Sequence, residues 1–255
     1  MKKNVILAIF SLLALVTNAQ QNSTLKKDKQ VYEWVIYSLK GSPTALDNYY
    51  KEALIPFYNR NGVKVGAFGL YGQDTPGKQY YLIVYPNMEV CYQLKKTMWQ
   101  DEKFVAASKK YFDETAVNPV YTNIETFLCE AFDVMPQMRM PSKEDKLFEF
   151  RIYSSPNEEA NLRKIEMFNN GEVGIFDEAG IKSVCYGEVL SGSRMPSLIY
   201  LTCNTDMTAR DAAWDKFSKN PKWIAMRADK RYANTATNNA RTFLVPLAYS
   251  QLATM

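Results

Sequence analysis

The sequence predicts an α+β protein: two βαββαβ units in one chain, packed sheet to sheet. Three observations carry that prediction. A segment pattern occurs twice along the chain. Within each copy, runs of β-branched and aromatic residues alternate with runs spaced for a helix. Each copy would also leave one apolar sheet face bare, and the other copy is its natural cover.

The two copies open on Tyr32-Glu33-Trp34-Val35-Ile36-Tyr37 and Phe148-Glu149-Phe150-Arg151-Ile152-Tyr153, 116 residues apart. Further on, Gly62-Val63-Lys64 answers Gly180-Ile181-Lys182, and Ala67-Phe68-Gly69 answers Cys185-Tyr186-Gly187, at an offset of 118. In the first copy a strand is expected over 31–39. A helix follows from Ser42-Pro43, with Pro at the first helical position. Its apolar face is Leu46, Tyr49, Tyr50, Ala53, Leu54 and Phe57, with a kink at Pro56 and an end at Asn61-Gly62. Strands over 63–71 and 79–85 make a hairpin. Asn87 caps a second helix carrying Val90, Leu94, Met98, Phe104 and Tyr111, and a strand over 121–132 closes the copy. The second copy should have strands over 146–154, 181–190, 198–204 and 239–248. Its helices are expected over about 157–179 and 206–232, the latter broken at Asn220-Pro221. The units are therefore 31–132 and 146–252, joined by a linker over 133–145 that holds Pro136 and Pro141. A βαββαβ unit is the ferredoxin-like arrangement, and two of them face to face form a single-chain dimeric α/β-barrel.

Residues 1–19 have the three-part plan of a secretory signal: Lys2-Lys3, an apolar run from Val5 to Val16, then Thr17-Asn18-Ala19 before the expected cleavage. That run is short of the about 20 residues a membrane span needs, so no stable membrane insertion is expected after cleavage. Residues 20–30 read as a flexible lead-in. The expected location is exported, periplasmic or secreted. The net charge of +4 falls to +2 once Lys2 and Lys3 are removed, too balanced for a nucleic-acid footprint.

Histidine is absent from all 255 residues. Ser-His-Asp and Cys-His catalysis, His-ligated zinc and haem on a proximal His are thereby excluded. The sequence contains no Gly-rich phosphate loop, nucleophile elbow or clustered metal ligands, so no cofactor, metal or catalytic residue is assigned. Four cysteines occur, without a CxxC. A hairpin turning near Ser193 or Arg194 would set Cys185 nearly opposite Cys203, where a disulfide could form; buried free thiols are the other reading.

Candidate ligand contacts come from alternation in the strand over 146–154. Phe148, Phe150 and Ile152 point one way, and Glu149, Arg151 and Tyr153 the other. The apolar face is expected to meet the helices, which would turn the Glu-Arg-Tyr row into the space between the sheets. There it is either an internal ion-pair brace or the lining of a wet cavity. The first copy has Glu33, Val35 and Tyr37 at these places, so a ligand should sit nearer the second copy. Tyr186 and Glu188 also replace Phe68 and Leu70 of the first copy. Asn169-Asn170-Gly171-Glu172 interrupts a helix, either as a plain kink or to bring Asn169 and Glu172 to a cavity mouth. Arg194 lies in the turn 191–196, free on the surface or near the same mouth.

Several of these segments together resemble the NIPSNAP family. They are Phe168-Asn169-Asn170-Gly171-Glu172 through Ile175-Phe176, Tyr186-Gly187-Glu188, Arg194-Met195-Pro196, Arg210-Asp211-Ala212-Ala213-Trp214 with Phe217, and Asn220-Pro221-Lys222-Trp223. Pro246 to Gln251 resembles the end of the family's bacterial tandem members. Ala53 to Pro56 and Asn59 to Lys64 fit as well, although the first copy matches less closely. The resemblance implies the dimeric α/β-barrel superfamily, which includes cofactor-free monooxygenases and haem enzymes. It supplies no agreed catalytic residues, and the haem branch lacks its axial histidine here. An exported chain also departs from the mitochondrial members, so their partners do not carry over.

Three functions follow, in order. The first is a binding protein for a small molecule held between the sheets by Glu149, Arg151, Tyr153, Tyr186 and Glu188. The second is a non-catalytic interaction module, for which oligomers are compatible. The third is a cofactor-independent enzyme, monooxygenase- or isomerase-like, with Glu188 or Glu149 as general base.

Overall fold

A computed structural model describes residues 29–73 and 77–252. The signal-peptide reading of 1–19 lies outside the described residues. No helix among the described residues is long and apolar enough to cross a membrane.

The first half runs β1 (Val31–Leu39), α1 (44–60), β2 (Lys64–Leu70), β3 (Lys78–Tyr85), α2 (Met88–Thr97), α3 (Glu102–Thr115) and β4 (Tyr121–Ala131). The second runs β5 (Leu147–Ser154), α4 (158–179), β6 (Lys182–Gly192), β7 (Ser197–Asn204), α5 (Met207–Lys219), α6 (Pro221–Ala228) and β8 (Asn238–Pro246). Strand order is β4-β1-β3-β2 in the first half and β8-β5-β7-β6 in the second. The sheet edges join, β2 to β8 and β4 to β6, and close an antiparallel barrel of eight strands. The mixed α+β fold with facing sheets is as expected.

Local chemistry explains the ends of the elements. Asn87 caps α2 by accepting from the Val90 amide at 3.0 Å, and Asn157 and Asp206 cap α4 and α5 in the same way. The single helix expected over 87–111 is two, because Asp101 accepts from the Phe104 amide at 2.7 Å and starts a new one. The kink expected at Pro56 takes the form of a π turn, Tyr50–Leu54, just before it. A second π turn, Phe168–Glu172, absorbs Asn169-Asn170-Gly171 inside α4. Asn220-Pro221 separates α5 from α6. Residues 133–145 are tied down: Arg139 N donates to Val184 O, and Asp145 accepts from Lys182 at 2.7 Å.

Three cores result. The barrel lumen is filled from both halves, with Trp34, Phe68, Leu82, Phe127, Phe148, Phe150, Leu201 and Leu244 all buried in one cluster. An eight-stranded barrel is just wide enough for side chains to fill it. The other two cores lie outside the barrel, between each sheet and its own helices.

This arrangement corrects the expected orientation of β5. Phe148, Phe150 and Ile152 face the lumen, and Glu149, Arg151 and Tyr153 face the helices. Alternation separates two faces without saying which is inside. The cluster that fills the lumen is apolar, whereas the helix layer supplies Arg210 as a partner for Glu149, so the cheaper burial puts the charged row outward. The cavity expected between the sheets is therefore occupied by apolar side chains.

The disulfide reading is corrected as well. All four cysteines are free and buried. A bulge between Ser183 and Cys185 sets Cys185 opposite Leu201, and Cys203 opposite Lys182, so the two thiols are out of register.

Candidate functional site

The charged row of β5 is the floor of the site. Glu149 is 1% exposed and shared by two guanidinium groups. Arg151 Nε donates to its Oε1 at 2.6 Å. Arg210, from α5, donates through Nε to Oε2 at 2.8 Å and through Nη2 to Oε1 at 3.0 Å. Arg151 Nη1 donates to the Tyr153 hydroxyl at 2.9 Å, and that hydroxyl lies 2.9 Å from the Tyr200 hydroxyl. The Arg151 guanidinium lies 4.0 Å from the Trp214 ring centroid. Burial works against its charge, but the tyrosines and Glu149 outweigh it and hold the guanidinium protonated beyond its ordinary range.

Helix α4 supplies the wall. Lys164 lies on its buried stripe and donates to Glu172 Oε2 at 2.7 Å, with its ammonium 4.7 Å from the Phe168 ring centroid. Glu172 is the last residue of the π turn and is 2% exposed. Burial raises its pKa, and Lys164 and Arg151 oppose the rise.

Between this floor and wall, α5 and α6 leave a cleft of about 400 Å³. It is lined by Arg151, Tyr153, Lys164, Glu172, Trp214 and Trp223, with Arg227, Tyr232, Asn234 and Thr235 also reaching it. A cleft of about 500 Å³ on α3, lined by Trp99, Val105 and Phe112, is larger but gathers no comparable set of buried charges.

Of the residues predicted from sequence, Arg151, Tyr153 and Glu172 line the cleft, and Glu149 backs it. Tyr186 lies under the helices but is packed against Phe168, Phe176 and Tyr200, with its hydroxyl 2.6 Å from Ser183 Oγ. The other three lie elsewhere. Asn169 accepts from the Val134 amide at 3.0 Å. Glu188 faces Glu130 across the β4–β6 seam, where burial and that neighbour raise its pKa. Arg194 lies 3.7 Å from Glu125. Asn169 sits in the π turn, Glu188 on the β4–β6 seam and Arg194 in the turn between β6 and β7, placements that sequence spacing does not reveal. Lys164, Arg210, Trp214 and Trp223 were missed as lining or floor residues. Lys164 had a signal: it interrupts the apolar stripe of Ala160, Ile165, Met167 and Phe168.

Residues 148–251 match the NIPSNAP family model. No curated protein matches the chain. Among solved structures, the "putative monooxygenase" of Lactobacillus acidophilus NCFM aligns with a TM-score of 0.57 at 10% identity, over 86% of this chain and 94% of its own. An anthrone oxidase-like protein aligns with a TM-score of 0.52 at 11% identity, over 90% and 98%. An uncharacterized NIPSNAP domain protein from Burkholderia xenovorans aligns at 20% identity over 40% of this chain and 96% of its own, with a TM-score of 0.36.

Proposed function

We propose that the chain is a small-molecule binding protein whose ligand sits in the cleft under α4, α5 and α6, within the stretch 148–251 that matches the NIPSNAP family model. One observation carries this reading: the second half keeps buried charges where the first half has hydrocarbon. Arg151 and Val35 are each the fifth residue of their strand. Lys164 and Leu46 each precede their π turn by four residues, and Glu172 and Leu54 each end it. Leu46 and Leu54 belong to one apolar core. Replacing a buried ion pair by well-packed hydrophobes is often neutral or stabilising, so the scaffold does not need these charges to fold. Charges that stability does not require, converging on a cleft with two tryptophans, support a binding role.

A fragment screen by thermal shift tests the proposal. A ligand at a hundred times its Kd adds about 2.7 kcal/mol of stability. Hits are expected to stabilise the wild-type protein and to lose that effect in Trp223→Ala. A broad screen in which no hit depends on the cleft would overturn the reading.

A second reading, a cofactor-independent enzyme, draws support from Glu172. It is the carboxylate that lines the cleft, and burial raises its pKa toward the range of a general base. The monooxygenase-like neighbours share the fold at 10–11% identity, which carries no chemistry by itself. Oxygen uptake with a cleft-binding ligand, lost in Glu172→Gln, is the expected result on this reading. The export signal over 1–19 is part of the proposal; Gln20 as the first residue of the mature protein, by N-terminal sequencing, tests it.

A further inference from the structure

We infer that the ligand is a small aromatic anion, of the arene carboxylate class. The inference rests on the proposed binding role of the cleft and names the molecule by its chemistry. Three cations, Arg151, Lys164 and Arg227, line the cleft against one carboxylate, Glu172. The carboxylate behind them, Glu149, is shared by Arg151 and Arg210, and Arg210 also pairs with Asp211 at 2.8 Å, which leaves Arg227 and Arg241 as the surplus. Arg227 has no carboxylate partner among the described residues. On β8, Arg241 stands directly across from Arg151 and adds a further positive charge to the same row.

The excess of cations calls for a ligand that brings negative oxygen. Beside Tyr232, Asn234 and Thr235, the lining offers three flat apolar faces, Trp214, Phe217 and Trp223, with Trp223 4.5 Å from Phe217 and tilted by 34°. Such faces suit a ring system better than a flexible chain. A volume of about 400 Å³ lies at the lower end of small-molecule sites, which suits one or two fused rings.

The test titrates the full chain with 2-naphthoate, 2-naphthol and hexanoate, following the indole N–H signals of Trp214 and Trp223 by NMR. 2-Naphthoate is expected to shift both signals and to bind at least about tenfold tighter than either other probe. Arg227 is exposed, so Arg227→Gln should fold normally; it is expected to weaken 2-naphthoate severalfold and leave 2-naphthol unchanged. Equal binding of naphthol and naphthoate at those indoles, or no effect of Arg227→Gln, overturns the anion assignment and leaves the cleft reading standing. Tighter binding of hexanoate overturns the aromatic assignment. No shift with any probe overturns the class, and the fragment screen then decides whether the cleft binds at all.

Discussion

Glu149 is the residue on which the second half's charge balance turns. Removing its charge leaves Arg151 and Arg210 facing each other without an anion between them. Glu149→Gln is expected to cost about 3–5 kcal/mol, the penalty for breaking a buried pair from one side, read from urea unfolding. The corresponding Glu33 accepts from Tyr85 at 2.9 Å and from Lys95 at 2.6 Å, and Lys95 is half exposed, so Glu33→Gln should cost distinctly less. The double change Lys164→Leu with Glu172→Leu copies the first half and is expected to be neutral or to stabilise by about 1–4 kcal/mol. Glu172 also sets a pH dependence. Burial raises its folded pKa above the unfolded 4.5, so its contribution is greatest below the unfolded value and is lost as pH rises through the folded one. Wild-type stability should therefore fall relative to Glu172→Gln between pH 4 and neutrality, measured by paired urea titrations. At this scale the sequence disclosed that a charged row exists, because Glu149, Arg151 and Tyr153 alternate with apolar residues. It did not disclose the row's direction, since a period of two has no sign. Only the partners on α5 and α4, distant in sequence, decide that.

Among the elements, the two π turns do most to shape the site. The turn in α4 carries Glu172 inward, and Gly171 within it has φ of +150°, where a Cβ would also lie 2.9 Å from the Met226 methyl. Gly171→Ala is expected to destabilise by about 1–3 kcal/mol through backbone strain. Gly174, three residues on in the same helix, has open space where a Cβ would go. Gly174→Ala should instead stabilise by about 0.4–1 kcal/mol, and thermal melts of the two variants give the contrast. Strands were legible because aromatic and β-branched runs are bounded by clear turn residues, such as Asn61-Gly62 before β2 and Asn87 after β3. The π turns were not. Asn-Gly and Pro mark a disturbed helix, but whether the chain breaks or widens depends on what packs against it, here the sheet beneath Phe168. β8 stops at Pro246, short of the expected 248, because the next residues turn back on β2: Ser250 Oγ accepts from the Ala67 amide and Gln251 Oε1 from the Val65 amide.

For the whole molecule, the lumen is the shared property. Phe68 of one half packs on Phe148 of the other at 4.9 Å between centroids, and Trp34 on Phe150 at 4.5 Å. Thermal unfolding is therefore expected as one cooperative transition, with equal calorimetric and van't Hoff enthalpies. Residues 146–252 expressed alone would carry Phe148, Phe150 and Ile152 on an uncovered sheet. They should self-associate, seen as a dimer or larger by light scattering. The closed pairing was foreseeable from the two bare faces, whereas the site's location outside it was not, because filling the lumen depends on the sum of side-chain volumes from eight strands.

That sharing divides the molecule's freedom to change. A substitution in the lumen is answerable to both halves at once and must suit each of them. Beneath the helices, by contrast, each half has private ground, and an alteration there need not trouble its counterpart. One half could thus settle into hydrocarbon and act as ballast, while its twin was left at liberty to collect the awkward, charged residues that recognition demands.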